Sequence, residues 1–307
     1  MSQVVLSGSY SGLGAAQVLA GLIRAVRPRQ WLKNGLLFVP LAFSLNLAES
    51  QLVIRAAIAF AAFCAVSSAG YLLNDVADIR ADREHPLKRR RPVASGLVPV
   101  PLALGVGAGL GIFGLGLATA LSLQVGVAAA SYLALTAAYT MWLKRVVLLD
   151  VFGISVLFVL RAAAGAVAIG VPISPWLYTA TMLGALLIAL GKRRAELVAL
   201  GDDARDHRAN LEHYSVELVD QVVSIISGAA VMTYALYTFS AENLPKDHSM
   251  MLTLPVVLYG LFRYLLVTRA SSVGGAPEDL LFRDKSLLAA VGVWAAMSVG
   301  ILYLAAH

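Results

Sequence analysis

From residue 98 to residue 169 the chain carries only four charged side chains, Lys144, Arg145, Asp150 and Arg161, across apolar runs at about 98 to 119, 121 to 141 and 147 to 169. About 20 mostly apolar residues are what an α-helix needs to cross the hydrocarbon core of a bilayer. In lipid every backbone polar group must be satisfied within the structure, which leaves helices or closed barrels, and runs of this length indicate helices. Six further stretches, at about 35 to 49, 52 to 73, 176 to 191, 218 to 240, 250 to 268 and 286 to 306, bring the expected number of spans to nine. The first and sixth are short, so their ends are expected to extend into polar flanks. Composition agrees, with 59% hydrophobic and 14% charged residues against roughly 45–50% apolar in soluble domains. The expected fold class is an all-α integral membrane bundle of nine transmembrane helices.

Lys and Arg set the orientation. They gather before the first span (Arg24, Arg27, Arg29, Lys33) and after the second (Arg80 to Arg91), the fourth (Lys144, Arg145), the sixth (Lys192, Arg193, Arg194, Arg205, Arg208) and the eighth (Arg269, Arg283, Lys285). The alternate connections hold almost none, Arg55 and Lys246 excepted. The positive-inside rule then puts the N-terminus and the long polar loops in the cytoplasm, for a multi-pass protein of the cytoplasmic (inner) membrane. Residues 1–24 lack a basic n-region and a clear cleavage site, so they read as a cytoplasmic lead-in or interfacial helix ahead of one membrane domain, 25–307. The lone Cys64 excludes an intrachain disulfide and argues against zinc or iron–sulfur ligation. His85, His207, His213, His248 and His307 show no metal-type spacing. The net charge of +6 is spread as topology signals, and no nucleic-acid partner is expected.

The densest chemistry lies in NDVADIRADREHPLKRRRPVASG, Asn74 to Gly96. If this segment continues the second span as a helix, Asn74, Asp78 and Asp82 follow one another about 40° apart and Asp75 lies about 100° round, so all four share one face. Crowded carboxylates repel unless a cation neutralises them, and an all-oxygen set suits Mg²⁺, which completes its shell with phosphate oxygens and water. A solvated helix end pairing with Arg80 and Arg83 is the plainer alternative, but four such groups on one face exceed what a cap requires. Lys88, Arg89, Arg90 and Arg91 by themselves read as topology signals or contacts for anionic lipid. Directly after the acidic helix they also suit a phosphate clamp, since Arg binds phosphate in bidentate fashion.

Arg161 lies deep in the fifth span, where an arginine costs about 2.5–3.5 kcal/mol on insertion scales and usually faces a polar cavity or partner. Tyr139 and Lys144, at the end of the fourth span, can reach the same cavity mouth or serve as an interfacial aromatic and a snorkelling lysine. Lys192, Arg193 and Glu196 follow the sixth span in KRRAEL, placed to meet a phosphate. Asp202 and Asp206, four apart, are a weaker candidate for a second metal group and read first as solvated loop. No P-loop, G-x-S-x-G elbow or H-E-x-x-H pattern is present, which lowers NTPase, serine hydrolase and zinc protease readings.

These residues resemble the UbiA-type intramembrane prenyltransferase superfamily, through the N-D-x-x-D-x-x-x-D motif at Asn74 to Asp82. The chain is similar, more narrowly, to its polyprenyl-phosphate (decaprenyl-phosphate) phosphoribosyltransferase branch, through RPRQWLKN at 27 to 34, the whole of 74 to 96, YTMWLK at 139 to 144, LLDVFGISVLFVLRAAAGA at 148 to 166 and KRRAEL at 192 to 197. The likeness covers roughly residues 25 to 305. It implies a nine-helix bundle with a cytoplasm-facing cavity, and transfer of 5-phosphoribose from phosphoribosyl diphosphate (PRPP) to a polyprenyl phosphate, in the service of cell-envelope construction. It also implies Mg²⁺ on Asn74, Asp78 and Asp82, with Asp75, Asp78, Asp82 and Arg161 as catalytic residues. Lys33, Asn34, Lys88, Arg89, Arg91, Tyr139, Lys144, Lys192, Arg193 and Glu196 would bind substrate. Prenyl-diphosphate-using relatives carry a second Asp-rich motif after helix six, where this chain has the basic KRRAEL. A prenyltransferase joining a prenyl diphosphate to an aromatic or other acceptor is the alternative. A transporter or lipid-binding protein is disfavoured by the one-sided clustering of ionisable groups and the lack of clear inverted repeats. The bilayer is the expected environment, and a homo-oligomer is compatible with such a bundle.

Overall fold

A computed structural model of the chain describes residues 14–200, 213–241, 244–270 and 284–305, and the ordered elements among them are all helical. Helix α1 (Ala15–Val26) leads in, followed by a 3₁₀ segment (Pro28–Phe38) and the short α2 (Val39–Phe43). Then come α3 (Ser50–Ala77), α4 (Ile79–Glu84), α5 (Val100–Leu121), α6 (Leu123–Met141), α7 (Leu149–Ile169) and α8 (Pro175–Leu200). Helices α9 (Val216–Ser240), α10 (Leu254–Ala270) and α11 (Lys285–Ala305) complete the chain.

Seven segments among the described residues are long and apolar enough to cross a membrane: α3, α5, α6, α7, α9, α10 with the short 3₁₀ turn before it, and α11. Two expected spans differ from this pattern. The sixth lies within α8, whose 26 residues run on through Lys192, Arg193 and Glu196, so the helix carries its polar end as part of the same rod. The first, expected over 35 to 49, is not one helix but the 3₁₀ segment and α2. Pro40 has no N–H to donate into a helical ladder, and Gly35 lowers helix propensity. What holds this irregular stretch is packing: Asn34 and Leu37 are fully buried. A Cβ on Gly165 of α7 would stand 2.3 Å from the Leu37 carbonyl oxygen, so the two backbones touch there.

Helix α3 is the axis of the first half. Gly114 of α5 meets Ala62 and Val66, Gly107 meets Leu72, and Gly70 of α3 itself receives Thr136 of α6, small-residue contacts of the kind that let membrane helices approach closely. Phe63, Val66, Ala118, Val125, Tyr132 and Ala164 form the core there. A second core, with Leu186, Leu190, Val219, Tyr264 and Leu287, joins α7 to α8, α9, α10 and α11. Ile112, Leu123, Ile225 and Phe262 turn outward with more than half of their surface exposed, as a lipid-facing wall requires. Arg55, the exception to the charge pattern, donates from Nε to the Ala168 carbonyl at 2.7 Å and from Nη2 to that of Leu121, and so closes the ends of α7 and α5.

The acidic motif lies where α3 runs out. The helical ladder continues through it (Asp78 N–H to Asn74 O, 2.9 Å; Asp82 N–H to Asp78 O, 2.8 Å), but Asp78 sits at φ −94°, ψ 6° and kinks α3 into α4. Pro86 explains why α4 ends: the residue before a proline is pushed to extended geometry, and His85 has φ −78°, ψ 131°.

Candidate active site

The kink divides the motif. Asn74 and Asp78 face α6 and the short 3₁₀ turn Leu143–Arg145 that follows it: Lys144 Nζ lies 2.5 Å from Asp78 Oδ1 and 3.5 Å from Asn74 Oδ1, and Thr140 Oγ1 donates to Asn74 Oδ1 at 3.3 Å. Asp75 and Asp82 face the other way. Arg91 Nη1 bridges them, 2.7 Å from Asp82 Oδ2 and 3.4 Å from Asp75 Oδ1. Arg27, from the turn after α1, donates to Asp75 Oδ1 at 2.5 Å while its guanidinium lies over Tyr71. The single shared face expected from an ideal helix is therefore two faces, each neutralised by cations from elsewhere in the chain.

Asp75 and Asp82 are almost completely buried, and Asp75 Oδ2 has no hydrogen-bond partner. A buried, uncommitted carboxylate oxygen beside amide and carboxylate oxygens is a donor set a hard cation can use. Among the described residues no three His, Cys, Asp or Glu side chains are already grouped around a common point. The residues thus fit Mg²⁺ by chemistry, with Lys144 and Arg91 standing on two of the oxygens it would take.

Lys88, Arg89 and Arg90 form an exposed 3₁₀ turn just beyond α4. Lys33 is half-buried in the 3₁₀ segment before α2. Tyr139 lies across Gly153 of α7, where a Cβ would come within 3.1 Å of the ring.

Arg161 is 3% exposed and belongs to a polar cluster inside the bundle. Its Nε donates to Asn34 Oδ1 at 2.8 Å, Nη2 to the Tyr132 hydroxyl at 2.5 Å and Nη1 to the Leu157 carbonyl at 3.0 Å. Phe158 and Tyr132 cover the guanidinium. Asn34 in turn donates to Cys64 Sγ and Ser67 Oγ, so its amide has one orientation in which every atom is used.

The last group was only half visible in the sequence. Arg193, 1% exposed, donates from Nε to Asp150 Oδ2 at 2.6 Å and from Nη1 to Glu196. Asp150, fully buried in the first turn of α7, takes a second bond on Oδ1 from the Tyr214 hydroxyl at 2.9 Å. That hydroxyl accepts the Leu148 N–H at 2.9 Å, and Leu148 has a left-handed φ of 66°. Burial, reinforced by the Asp150 charge and opposed by the Leu148 N–H, pushes the Tyr214 phenol up to about 12. Lys192, the residue before Arg193, is half-buried. Asp202 and Asp206 lie outside the described residues.

A model of the UbiA prenyltransferase family matches residues 36–283. A decaprenyl-phosphate phosphoribosyltransferase of Corynebacterium glutamicum is 35% identical over 290 residues, covering 92% of this chain and 87% of its own. One from Mycobacterium tuberculosis is 34% identical over 285 residues, covering 92% and 94%. Among solved structures, a UbiA homolog from Archaeoglobus fulgidus bound to GPP and Mg²⁺ superposes with a TM-score of 0.70 at 16% identity, over 92% of this chain and 99% of its own. A digeranylgeranylglyceryl phosphate synthase structure does so at 0.65 and 15%, over 93% and 99%. These structural likenesses speak for the fold alone.

Proposed function

The chain belongs to the UbiA prenyltransferase family, a multi-pass integral membrane protein, and from that premise we propose that it transfers 5-phosphoribose from PRPP to a polyprenyl phosphate of the decaprenyl type, releasing diphosphate. One observation supports this donor over a bare prenyl diphosphate. The motif's carboxylates are already matched by Arg27, Arg91 and Lys144, and the basic turn Lys88 to Arg90 stands beside them. A site with cations beyond those its own acids need suits a donor with a 5-phosphate as well as a diphosphate. The relatives at 34–35% identity carry a phosphoribosyltransferase name over nearly the whole chain.

In this reading Asn74 and Asp78 from one face of the motif and Asp82 from the other would hold Mg²⁺, and the bound ion would supply Lewis acidity toward the leaving diphosphate. Lys144 and Arg91 bind phosphate oxygens next to these acids, and Lys33, Lys88, Arg89 and Lys192 hold the remaining phosphates of donor and acceptor. The bond from ribose C1 to the diphosphate oxygen breaks, and C1 bonds to an oxygen of the lipid phosphate. That nucleophile is already an anion, so it needs placement rather than a general base. Arg161 and Asn34 fix the floor of the site. By the positive-inside rule the basic loops favour a cytoplasmic position for this end of the bundle, where a soluble donor can enter while the lipid arrives through the bilayer. One membrane domain from residue 25 onward carries the activity.

The direct test supplies purified protein with labelled PRPP or labelled prenyl diphosphate, a polyprenyl phosphate acceptor and Mg²⁺, and separates the lipid products by thin-layer chromatography. A labelled phosphoribosyl lipid from PRPP is the expected result. Product from prenyl diphosphate alone would assign the protein to the ordinary prenyltransferases.

A further inference from the structure

Glu196 is held differently from the acids of the Asn74 to Asp82 motif. Asp75, Asp78 and Asp82 meet cations from loops, whereas Glu196 is gripped by Arg193, a guanidinium that is itself buried and locked on Asp150. Asp150 sits in the first turn of α7, where the helix dipole favours a carboxylate, and the Tyr214 hydroxyl satisfies its second oxygen. A buried ion pair is costly unless its geometry is good and its remaining lone pairs are used, and here both oxygens of Asp150 are used. Asp150 and Glu196 are both ion-paired with this one arginine. Arg193 is therefore built to aim a carboxylate rather than to offer a free charge to a phosphate. Glu196 keeps 25% of its side chain exposed, and the same network borders Tyr139, whose neighbour Thr140 bonds Asn74 of the metal motif.

A fixed, partly exposed carboxylate has little use for phosphate, which it repels. It accepts hydrogen bonds from hydroxyls well, and hydroxyls separate a sugar diphosphate from a prenyl diphosphate. We propose that Glu196 is the specificity-determining residue that accepts hydrogen bonds from the ribose 2- and 3-hydroxyls of the donor, with Arg193, Asp150 and Tyr214 as its positioning residues. This rests on the phosphoribosyl reading above and assigns the part of that donor which the phosphate-binding cations do not read. Leu148 fits the arrangement: its strained backbone is held by the Tyr214 hydroxyl, so a residue just ahead of α9 pins the start of α7 and the orientation of Asp150.

The test uses the full chain in lipid nanodiscs and two probes: PRPP as substrate, and inorganic diphosphate, which has no hydroxyls, as competitor. Removing a hydrogen bond to a charged acceptor weakens binding about 10- to 100-fold. Glu196→Ala is expected to raise KM for PRPP by that factor while leaving inhibition by diphosphate unchanged or tighter. Glu196→Gln, nearly isosteric, gives a smaller rise of the same kind and serves if the alanine variant does not fold. Asp150→Asn and Tyr214→Phe follow with smaller rises in KM for PRPP and little change for diphosphate. A purely structural role would weaken both probes together, and that result, or an unchanged KM in an active Glu196 variant, overturns the assignment while leaving the transferase reading intact. A wild-type protein that turns over prenyl diphosphate and not PRPP overturns both.

Discussion

Lys144 Nζ and Asp78 Oδ1 lie 2.5 Å apart although 66 residues separate them in the chain. The pair joins the kink between α3 and α4 to the turn between α6 and α7, and it places a cation on the oxygen that a metal would need. Both side chains are partly exposed, at 13% and 28%, so the pair can open when substrate arrives without stranding a buried charge. Lys144→Met is expected to lower kcat/KM for PRPP by about 10- to 100-fold, the worth of a charge-assisted bond, while sparing thermal stability. Steady-state kinetics and a melting curve on the same preparation check both halves. A variant that melts early and binds PRPP normally would make Lys144 a structural residue.

The two buried acids behave differently from Asp78. Asp75 holds Arg27 and Arg91 at once, so its first task is to fix two loops. Asp75→Ala leaves Arg27 without its carboxylate while Arg91 keeps Asp82, and should destabilise the protein by about 3 kcal/mol, the lower end of the penalty for breaking a buried pair, because Arg27 is a quarter exposed. Asp78→Ala should cost less in stability and abolish activity across the Mg²⁺ range. Thermal melts together with a Mg²⁺ titration of activity separate these outcomes; full activity in Asp78→Ala would sink the metal assignment.

How much of this was legible in the sequence depended on separation along the chain. The motif from Asn74 to Asp82 and the lone Arg161 announced themselves because a charge in an apolar run has few benign explanations. Asp150 did not, since an acid in the first turn of a helix is ordinary and its partners are 43 and 64 residues away. Arg27 read as a topology signal, because nothing local predicts that a left-handed turn after α1 would carry it onto Asp75. The first span was read as a helix from its apolar content, but Pro40, Gly35 and the backbone contact at Gly165 decide otherwise. Two-faced division of the acids also escaped a helical wheel, which assumes no kink at Asp78.

Inside the bundle, Arg161 and Asn34 should act as a unit. Arg161→Met removes a cation whose cost was offset by Asn34, Tyr132 and the Leu157 carbonyl, and it leaves the Asn34 oxygen without that donor. A double-mutant cycle of Arg161→Met and Asn34→Ala, read by denaturation, should give a coupling energy of about 0.5–3 kcal/mol. Additive losses would show that the two side chains stabilise the bundle independently.

Tyr214 gives the network a signature in alkali. Its phenol is pushed up to about 12 in the folded protein, against about 10 when unfolded. Below pH 10 both states are protonated and the Tyr214 contribution is fully present. As pH rises from 10 toward 12 the unfolded chain loses its proton first, so the native state is progressively disfavoured. Wild type should therefore lose its stability advantage over Tyr214→Phe across this window, measured as the difference in Tm between the two proteins at stepped pH. A constant difference from pH 9 to 12 would contradict the shift.

Gly165 tests whether the irregular first segment is a required part of the fold. Its missing Cβ makes room for the Leu37 backbone, which cannot rotate away as a side chain can. Gly165→Ala must push the 3₁₀ segment off α7, and Asn34 sits on that segment three residues before Leu37 with its oxygen on Arg161. The expected loss is about 1–3 kcal/mol or more, with activity falling further than stability on the proposed placing of Arg161 and Asn34 at the floor of the site. Gly105→Ala on α5 is the control: nothing lies within 4 Å of its Cβ position, and in a helix interior alanine is favoured over glycine by about 1 kcal/mol. Melting temperatures should fall for Gly165→Ala and hold or rise for Gly105→Ala. Equal behaviour of the two would mean that α7 and the 3₁₀ segment are not in backbone contact in the membrane.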